Sequence, residues 1–205
     1  MDTRIVVLAK LPRPGLAKTR LIPALGAEGA ARLAERLLRE AVGAACAARA
    51  GAVELCLAPT IDDPLAEELA AHWGIELADQ ADGDLGARMA DALLRGLASA
   101  QAVLLMGTDA PALDAAAIAA AAQALRAHDA ALVPAADGGY ALLGLKQPLP
   151  SLFTHMPWST EQVAAITRQR LVAAELSLWT GPAVHDIDTP EDLCHVPARW
   201  IDPGR

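Results

Sequence analysis

The chain has 205 residues, 25 of them acidic against 17 basic, for a formal net charge of −8. That length suits one domain with a core of its own, and the acidic balance excludes the extended basic surface of a nucleic-acid binder and disfavours a membrane surface. Apolarity comes mostly from alanine, and no segment reaches the roughly 18 strongly apolar residues of a membrane span.

The first apolar run, Ile5–Ala9, predicts a buried strand. It leads directly into Lys10-Leu-Pro-Arg-Pro-Gly-Leu-Ala-Lys18-Thr-Arg20-Leu, which holds two of the chain's three lysines. Arg13 and Arg20 bring this loop to four cations. In open α/β sheets ligands bind just beyond the carboxyl ends of strands, so the loop predicts a cradle for a small polyanion, a nucleoside triphosphate above all. The alternative is an exposed turn, marked by Pro12, Pro14 and Gly15, whose cations are simply solvated. The spacing of a Walker A loop is absent, and so is a G-x-G-x-x-G fingerprint. A cradle here therefore works through side-chain cations more than glycine-exposed amides.

A long helix follows from about Glu28 to Arg49, with Leu33, Leu37, Leu38 and Val42 inward and Arg32, Glu35, Arg36 and Arg39 outward. Strands are predicted at 53–58 and 75–78, around a helix capped by Asp63-Pro64 and ended by Gly74. The Gln80–Met89 segment opens another helix, and its polar groups suit reading a base edge, with Arg88 reaching a phosphate. A strand at 103–106 runs into Gly107-Thr108-Asp109-Ala110-Pro111, and Asp114 caps a helix reaching about Ala127. Strands at 131–134 and 140–145 are too close for a crossover helix. A hairpin or sharp redirection there gives a mixed sheet. Beyond it lie a short helix opening at Ser159, a strand near 176–179 and a terminal helix opening at Thr189. Alternating strands and helices predict a mainly parallel sheet covered on both faces, in a single domain over 1–205. Cys46, Cys56 and Cys194 form no C-x-x-C pair and read as thiols of a reducing compartment. With Asp2 and Arg4 at the start and no signal-type h-region, a cytoplasmic protein is expected.

Several of these junctions carry chemistry. Asp109, at the carboxyl end of a central strand, faces the same sheet edge as the basic loop. A hard oxygen ligand beside phosphate-binding cations suits a magnesium–nucleotide complex; the alternative is a turn-capping aspartate. In Asp186-Ile187-Asp188-Thr189-Pro190-Glu191-Asp192, helix capping accounts for Glu191 and Asp192. It leaves Asp186 or Asp188 as a second metal ligand. Asp137-Gly138-Gly139-Tyr140 offers bare backbone and a carboxylate to an acceptor hydroxyl, or else a tight turn. Trp158 is a stacking platform or only a neighbour of the Ser159–Gln162 capping box. No histidine spacing suggests a metal site, and no nucleophile–base triad is evident.

K-x-P-x-P-G-x-x-K-T-R-L at Lys10–Leu21, G-T-D-x-P at Gly107–Pro111, D-G-G-Y at Asp137–Tyr140 and D-I-D-T-P-E-D-L at Asp186–Leu193 occur in that order over nearly the whole chain. Together they resemble the GT-A-type transferase family related to phospholactate guanylyltransferase, an uncharacterised domain of nucleotide-diphospho-sugar transferases. The resemblance implies a Rossmann-like GT-A fold, nucleotide phosphates on Lys18, Arg20 and Lys10, and Mg²⁺ or Mn²⁺ on Asp109 with Asp188. The residue reading adds Gln80, Gly86 and Arg88 to the expected nucleotide site and a small-molecule acceptor near Asp137, Gly138, Gly139 and Trp158. Lys10-Leu-Pro-Arg-Pro departs from the glycine-rich first loop of the molybdenum-cofactor nucleotidyltransferases, so their substrate is not carried over. Thr108 beside Asp109 leaves the glycosyltransferase D-x-D signature incomplete. Nucleotidyl transfer from a triphosphate is the first expectation. Glycosyl transfer from a sugar nucleotide and non-catalytic nucleotide binding are the alternatives.

Overall fold

The structure, a computed structural model, describes residues 1–201. Its strands are β1 Thr3–Lys10, β2 Ala52–Ala58, β3 Glu76–Asp79, β4 Ala102–Met106, β5 Ala130–Pro134, β6 Tyr140–Leu145 and β7 Leu178–Thr180. They form one seven-stranded sheet in the order β3-β2-β1-β4-β6-β5-β7. β6 alone runs antiparallel to its neighbours β4 and β5, while every other pairing is parallel. The expected hairpin and mixed sheet are therefore present. The chain leaves β1 towards β2 and β3, then returns to place β4 on β1's other side, which makes the β1–β4 boundary the topological switch point.

The helices are α1 Ile22–Ala47, α2 Pro64–Trp73, α3 Leu85–Leu97, α4 Ala115–Ala124, α5 Val163–Ala173 and α6 Ala198–Ile201. The period-two alternation of β1 divides the core. Ile5 and Val7 join Leu55, Leu57, Leu104 and Met106 under α1, α2 and α4. Val6 joins Cys56, Val103, Leu105 and Leu143 under α3 and α5 on the other face. This is a three-layer domain of the kind the strand–helix alternation predicts.

A third, smaller cluster lies off the sheet. Leu21 joins Ala30, Leu33 and Leu37 of α1, and from far along the chain Ile187 and Val196 complete it. Both Leu21 and Ile187 are fully buried. Apolar contact thus fastens the Asp186–Asp192 segment against the end of the basic loop.

Some boundaries differ from the sequence reading. α1 begins at Ile22, but Gly26 (φ 69°, ψ 166°) breaks it, and the regular helix starts just past that break, close to the predicted Glu28. The capping box at Ser159 does not form: Ser159 takes a left-handed φ of 64°, and α5 starts at Val163 after Gln162, with no side-chain cap. At Thr189 the expected helix start is a 3-10 turn, Pro190–His195, and not an α-helix, and it carries a capping box with Asp192 as the reciprocal partner.

Candidate active site

Lys10 ends β1, and Asp109 lies just past β4. The parallel register pairs Val7 with Met106, so both residues stand equally far beyond one paired level, on the carboxyl edge of the sheet. The loop after Lys10 returns to that edge and places Lys18 against Asp109. The Lys18 ammonium lies 2.6 Å from Asp109 Oδ1 and 2.8 Å from Asp188 Oδ1, and it donates to the Ile187 carbonyl at 2.6 Å. The Lys18 side chain is 7% exposed, whereas those of Asp109 and Asp188 are 48% and 36% exposed. Burial alone would lower the ammonium's pKa, but the Asp109 and Asp188 charges outweigh it and hold the pKa above its usual range.

Backbone contacts hold this arrangement. The Ile187 N–H donates to the Asp109 carbonyl at 2.8 Å, tying the two acidic segments together. Asp192 Oδ2 accepts from the N–H groups of Asp188 (3.0 Å) and Thr189 (2.7 Å) and from the Thr189 hydroxyl. Burial opposes the Asp192 charge, yet these donors keep its carboxyl below the usual range. Asp192 therefore orients the Asp188 backbone. Lys18 itself sits in the left-handed region at φ 50°, between buried Ala17 and the 3-10 turn Thr19–Leu21. A lysine in that conformation is uncommon and needs its surroundings to hold it.

Beside the ion pair opens a cleft of about 270 Å³, lined by Arg20, Ala136, Asp137, His185, Asp186, Asp188, Thr189 and Asp192. Burial, followed by the charges of Asp137, Asp188 and Asp192, raises the Asp186 carboxyl above its usual range. Of the two acids that the sequence leaves open, Asp188 is the one paired with Lys18, while Asp186 lines the cleft. His185 stacks on His195 with ring centroids 4.0 Å apart. Neither spacing nor periodicity flags that pair, because it forms only when the 3-10 turn brings His195 back.

The four loop cations do not act as one group, which corrects the simple cradle. Arg13 turns away to Asp63, the N-cap of α2, at 2.6 Å. Arg20 lines the cleft, and among the described residues neither Arg20 nor exposed Lys10 makes an ion pair. Gln80 stands between strand ends, its amide donating to the carbonyls of Ala9 (2.8 Å) and Cys56 (3.0 Å). Arg88 donates to Gly83 O and Gln80 Oε1. Gly86 is buried: a Cβ there would come within 2.5 Å of Phe153 O and 3.0 Å of Trp158 Nε1. Trp158 packs on the α3/α5 side of the core, and its indole N–H is buried without a partner among the described residues. Gly138, at φ 90°, lies so close to α5's approach that a Cβ would meet Glu161 O at 2.2 Å. Gly139 N–H donates to Asp137 Oδ1, closing the turn. Tyr140 is a core residue, with its hydroxyl 3.8 Å from Met89 Sδ.

The donor set suits a hard cation. Two carboxylates and a carbonyl surround the Lys18 ammonium, all of them hard oxygens. Mg²⁺ and Mn²⁺ take such oxygens, and Mg²⁺ completes its shell with phosphate and water. No group of three or more His, Cys, Asp or Glu residues able to hold a metal occurs among the described residues. A metal held by Asp109 and Asp188 would therefore need further oxygens from a ligand.

The family model described as "uncharacterized protein conserved in bacteria (DUF2064)" matches residues 33–160. A protein from Desulfovibrio desulfuricans G20, described as a "putative nucleotide-diphospho-sugar transferase", is 31% identical. Its structure matches over 92% of this chain and 84% of its own, with a TM-score of 0.82. CMP:2-keto-3-deoxy-manno-octonic acid synthetase, solved with CTP, is 14% identical over 96% of this chain and 97% of its own (TM-score 0.58). Rv0371c of Mycobacterium tuberculosis H37Rv, solved with manganese, is 17% identical over 96% and 98% (TM-score 0.54). The last two show a shared fold. Among curated proteins, none matches the chain by sequence.

Proposed function

The chain belongs to this bacterial family (DUF2064), and from that premise we propose that it is a transferase, a metal-dependent nucleotidyltransferase acting on a nucleoside triphosphate. The observation that carries the reading is Lys18 held between Asp109 and Asp188 at the switch point of the sheet. One cation and two open carboxylates at that place suit a metal–polyphosphate complex. The CTP complex of one fold relative and the manganese complex of another support the same reading.

In this reaction an acceptor oxygen attacks the α-phosphorus, the bond to the β-phosphate oxygen breaks, and pyrophosphate leaves with the electron pair. Lys18, Arg20 and Lys10 bind the β- and γ-phosphates and neutralise the charge that develops on the leaving group. Asp109 and Asp188 hold the metal. A bound Mg²⁺ or Mn²⁺ supplies Lewis-acid polarisation of the phosphate oxygens. The Gln80–Arg88 segment flanks the nucleoside, and the acceptor, a small phosphorylated or hydroxyl compound, enters near Asp137, Gly138, Gly139 and Trp158. No covalent protein nucleophile takes part; positioning and electrostatics carry the rate. The whole of 1–205 acts as one catalytic domain. A cytoplasmic location fits its free thiols, and no helix among the described residues is long and apolar enough to cross a membrane.

Glycosyl transfer from a sugar nucleotide is the second reading, favoured by the description of the Desulfovibrio protein. A thermal-shift panel of nucleoside triphosphates and sugar nucleotides with Mg²⁺ selects the ligand class by mass action. Pyrophosphate release is then assayed over acceptor mixtures. Metal-dependent release that Asp109→Ala abolishes, in a protein that still folds, is the expected result. Turnover that survives Asp109→Ala makes that residue a turn former and removes the reading.

A further inference from the structure

We propose that Lys18 is a built-in competitor for the metal position: without ligand its ammonium closes the Asp109–Asp188 pair to divalent cations, and a polyphosphate opens the pair by drawing the ammonium away. The inference rests on the metal–triphosphate reading of the site and adds an order to it. The metal does not enter an empty pair of carboxylates. It enters one that a phosphate chain has cleared.

The coordination of Nζ is the first ground. Asp109 Oδ1, Asp188 Oδ1 and Ile187 O lie at 2.6, 2.8 and 2.6 Å from it, so one oxygen of each carboxylate and the carbonyl converge on one ammonium in the space between the carboxylates. A dication and an ammonium cannot both lie between the same two carboxylates, because they repel at the distance that each needs. The ammonium is also well shielded, at 7% side-chain exposure, so solvent does little to weaken its hold.

The second ground is what can move. Lys18's backbone is fixed by buried neighbours, Ala17 at 7% and Leu21 at 0% exposure, and Ile187, which carries the accepting carbonyl, is fully buried. The carboxylate partners are tied through Ile187 N–H to Asp109 O and through Asp192 to the Asp188 amide. The part that can rearrange without moving the backbone is the four-carbon lysine stem, ending in a compact charge with rotatable donors. Arg20 lines the adjacent cleft without an ion pair among the described residues. A polyphosphate held there offers the ammonium more negative charge than two half-exposed carboxylates do. The same side chain thus guards the metal position and becomes a phosphate ligand.

The test uses Mn²⁺ and inorganic tripolyphosphate, which needs no knowledge of the base. Mn²⁺ binding is followed by the loss of the free-ion electron paramagnetic resonance signal, for the parent protein, Lys18→Met and Lys18→Gln. The parent is expected to bind Mn²⁺ weakly alone and to hold it together with tripolyphosphate. Either variant, lacking the competing charge, is expected to bind Mn²⁺ alone at least about tenfold more tightly, the equivalent of one charge-assisted contact. Adding Asp109→Asn to the variant is expected to erase that gain. A parent protein that retains Mn²⁺ through desalting without polyphosphate overturns the competition, whatever the variants do. A folded variant with no gain overturns it too, and leaves the triphosphate reading standing if the parent still binds Mn²⁺–tripolyphosphate. A parent that binds neither tripolyphosphate nor its Mn²⁺ complex removes the triphosphate reading and this inference with it.

Discussion

Two charge clusters in this domain use the same chemistry in opposite arithmetic. On β2, the Glu54 carboxylate, 6% exposed, is held by two arginines, Arg4 at 2.9 Å and Arg95 at 2.6 Å. Arg4 also pairs with Glu76, and Arg95 with Asp91 and the Cys56 sulfur. At the carboxyl edge, one lysine instead holds two carboxylates that stay open to solvent. Guanidinium is a planar fork with five donors; once two carboxylates satisfy it, little can displace it. An ammonium between exposed carboxylates can be exchanged for another cation. The first cluster therefore suits the fold, and the second is the one the proposed function uses.

The contrast breaks most sharply on stability. Glu54→Ala leaves two cations without their buried partner, and removing one member of such a cluster costs about 3–5 kcal/mol. Asp188→Asn leaves the shielded Lys18 ammonium with Asp109 and the Ile187 carbonyl and keeps an amide oxygen that can accept from it, so the expected cost is smaller, about 1–3 kcal/mol. Urea denaturation of both variants measures the difference; equal losses would make the edge cluster as structural as the β2 one.

Next in size is the apolar anchor beneath the site. Ile187→Ala removes a fully buried side chain shared with Leu21, Leu33 and Leu37, at an expected cost of about 2–5 kcal/mol. Because Ile187 positions both Asp109 and Lys18, polyphosphate binding is expected to weaken as well. A variant destabilised but unaltered in tripolyphosphate titration would detach the small core from the site.

The smallest effect concerns the loop cation that left the site. The hydrogen bond from Arg13 holds the Asp63 carboxyl below its ordinary 3.8, more than offsetting burial. A lowered folded pKa contributes stability that is complete above the unfolded value and is lost as pH falls through the folded one. Asp63→Asn keeps an N-cap acceptor, so at neutral pH it is expected to lose under about 1 kcal/mol. That difference should fade below pH 3.8. Thermal unfolding of parent and variant across this range checks the sign, and a gap that widens in acid contradicts it.

What the sequence discloses follows the range of each interaction. The strands, the hairpin link and the helical start at Thr189 rest on neighbours a few residues apart, and each is legible. Lys18 and Asp109 are also legible as a pair, since both follow strands whose carboxyl ends must share an edge. Arg13's turn towards Asp63, and Gln80's use of the Ala9 and Cys56 carbonyls, depend on chain segments distant in sequence. The Ser159 box fails for the same reason: Gly138 packs against Glu161 and sets the path into α5, overriding a sufficient local signal. The His185–His195 stack is likewise invisible until the 3-10 turn closes.

The central claim is that Lys18 and Arg20 hold the leaving end of a triphosphate, and isothermal titration tests it most directly. The ligands are the nucleoside triphosphate selected by the thermal-shift panel and its sugar-diphosphate counterpart, measured against the parent, Lys18→Ala and Arg20→Ala. A charge-assisted phosphate contact is worth roughly 1.5–3 kcal/mol, or about tenfold to a hundredfold in affinity. Each variant is expected to lose that much for the triphosphate and clearly less for the sugar nucleotide, which has no γ-phosphate. Equal losses for the two ligands, or a parent that binds the sugar nucleotide tightly with no preference for triphosphate, would contradict nucleotidyl transfer and point to the glycosyl reaction.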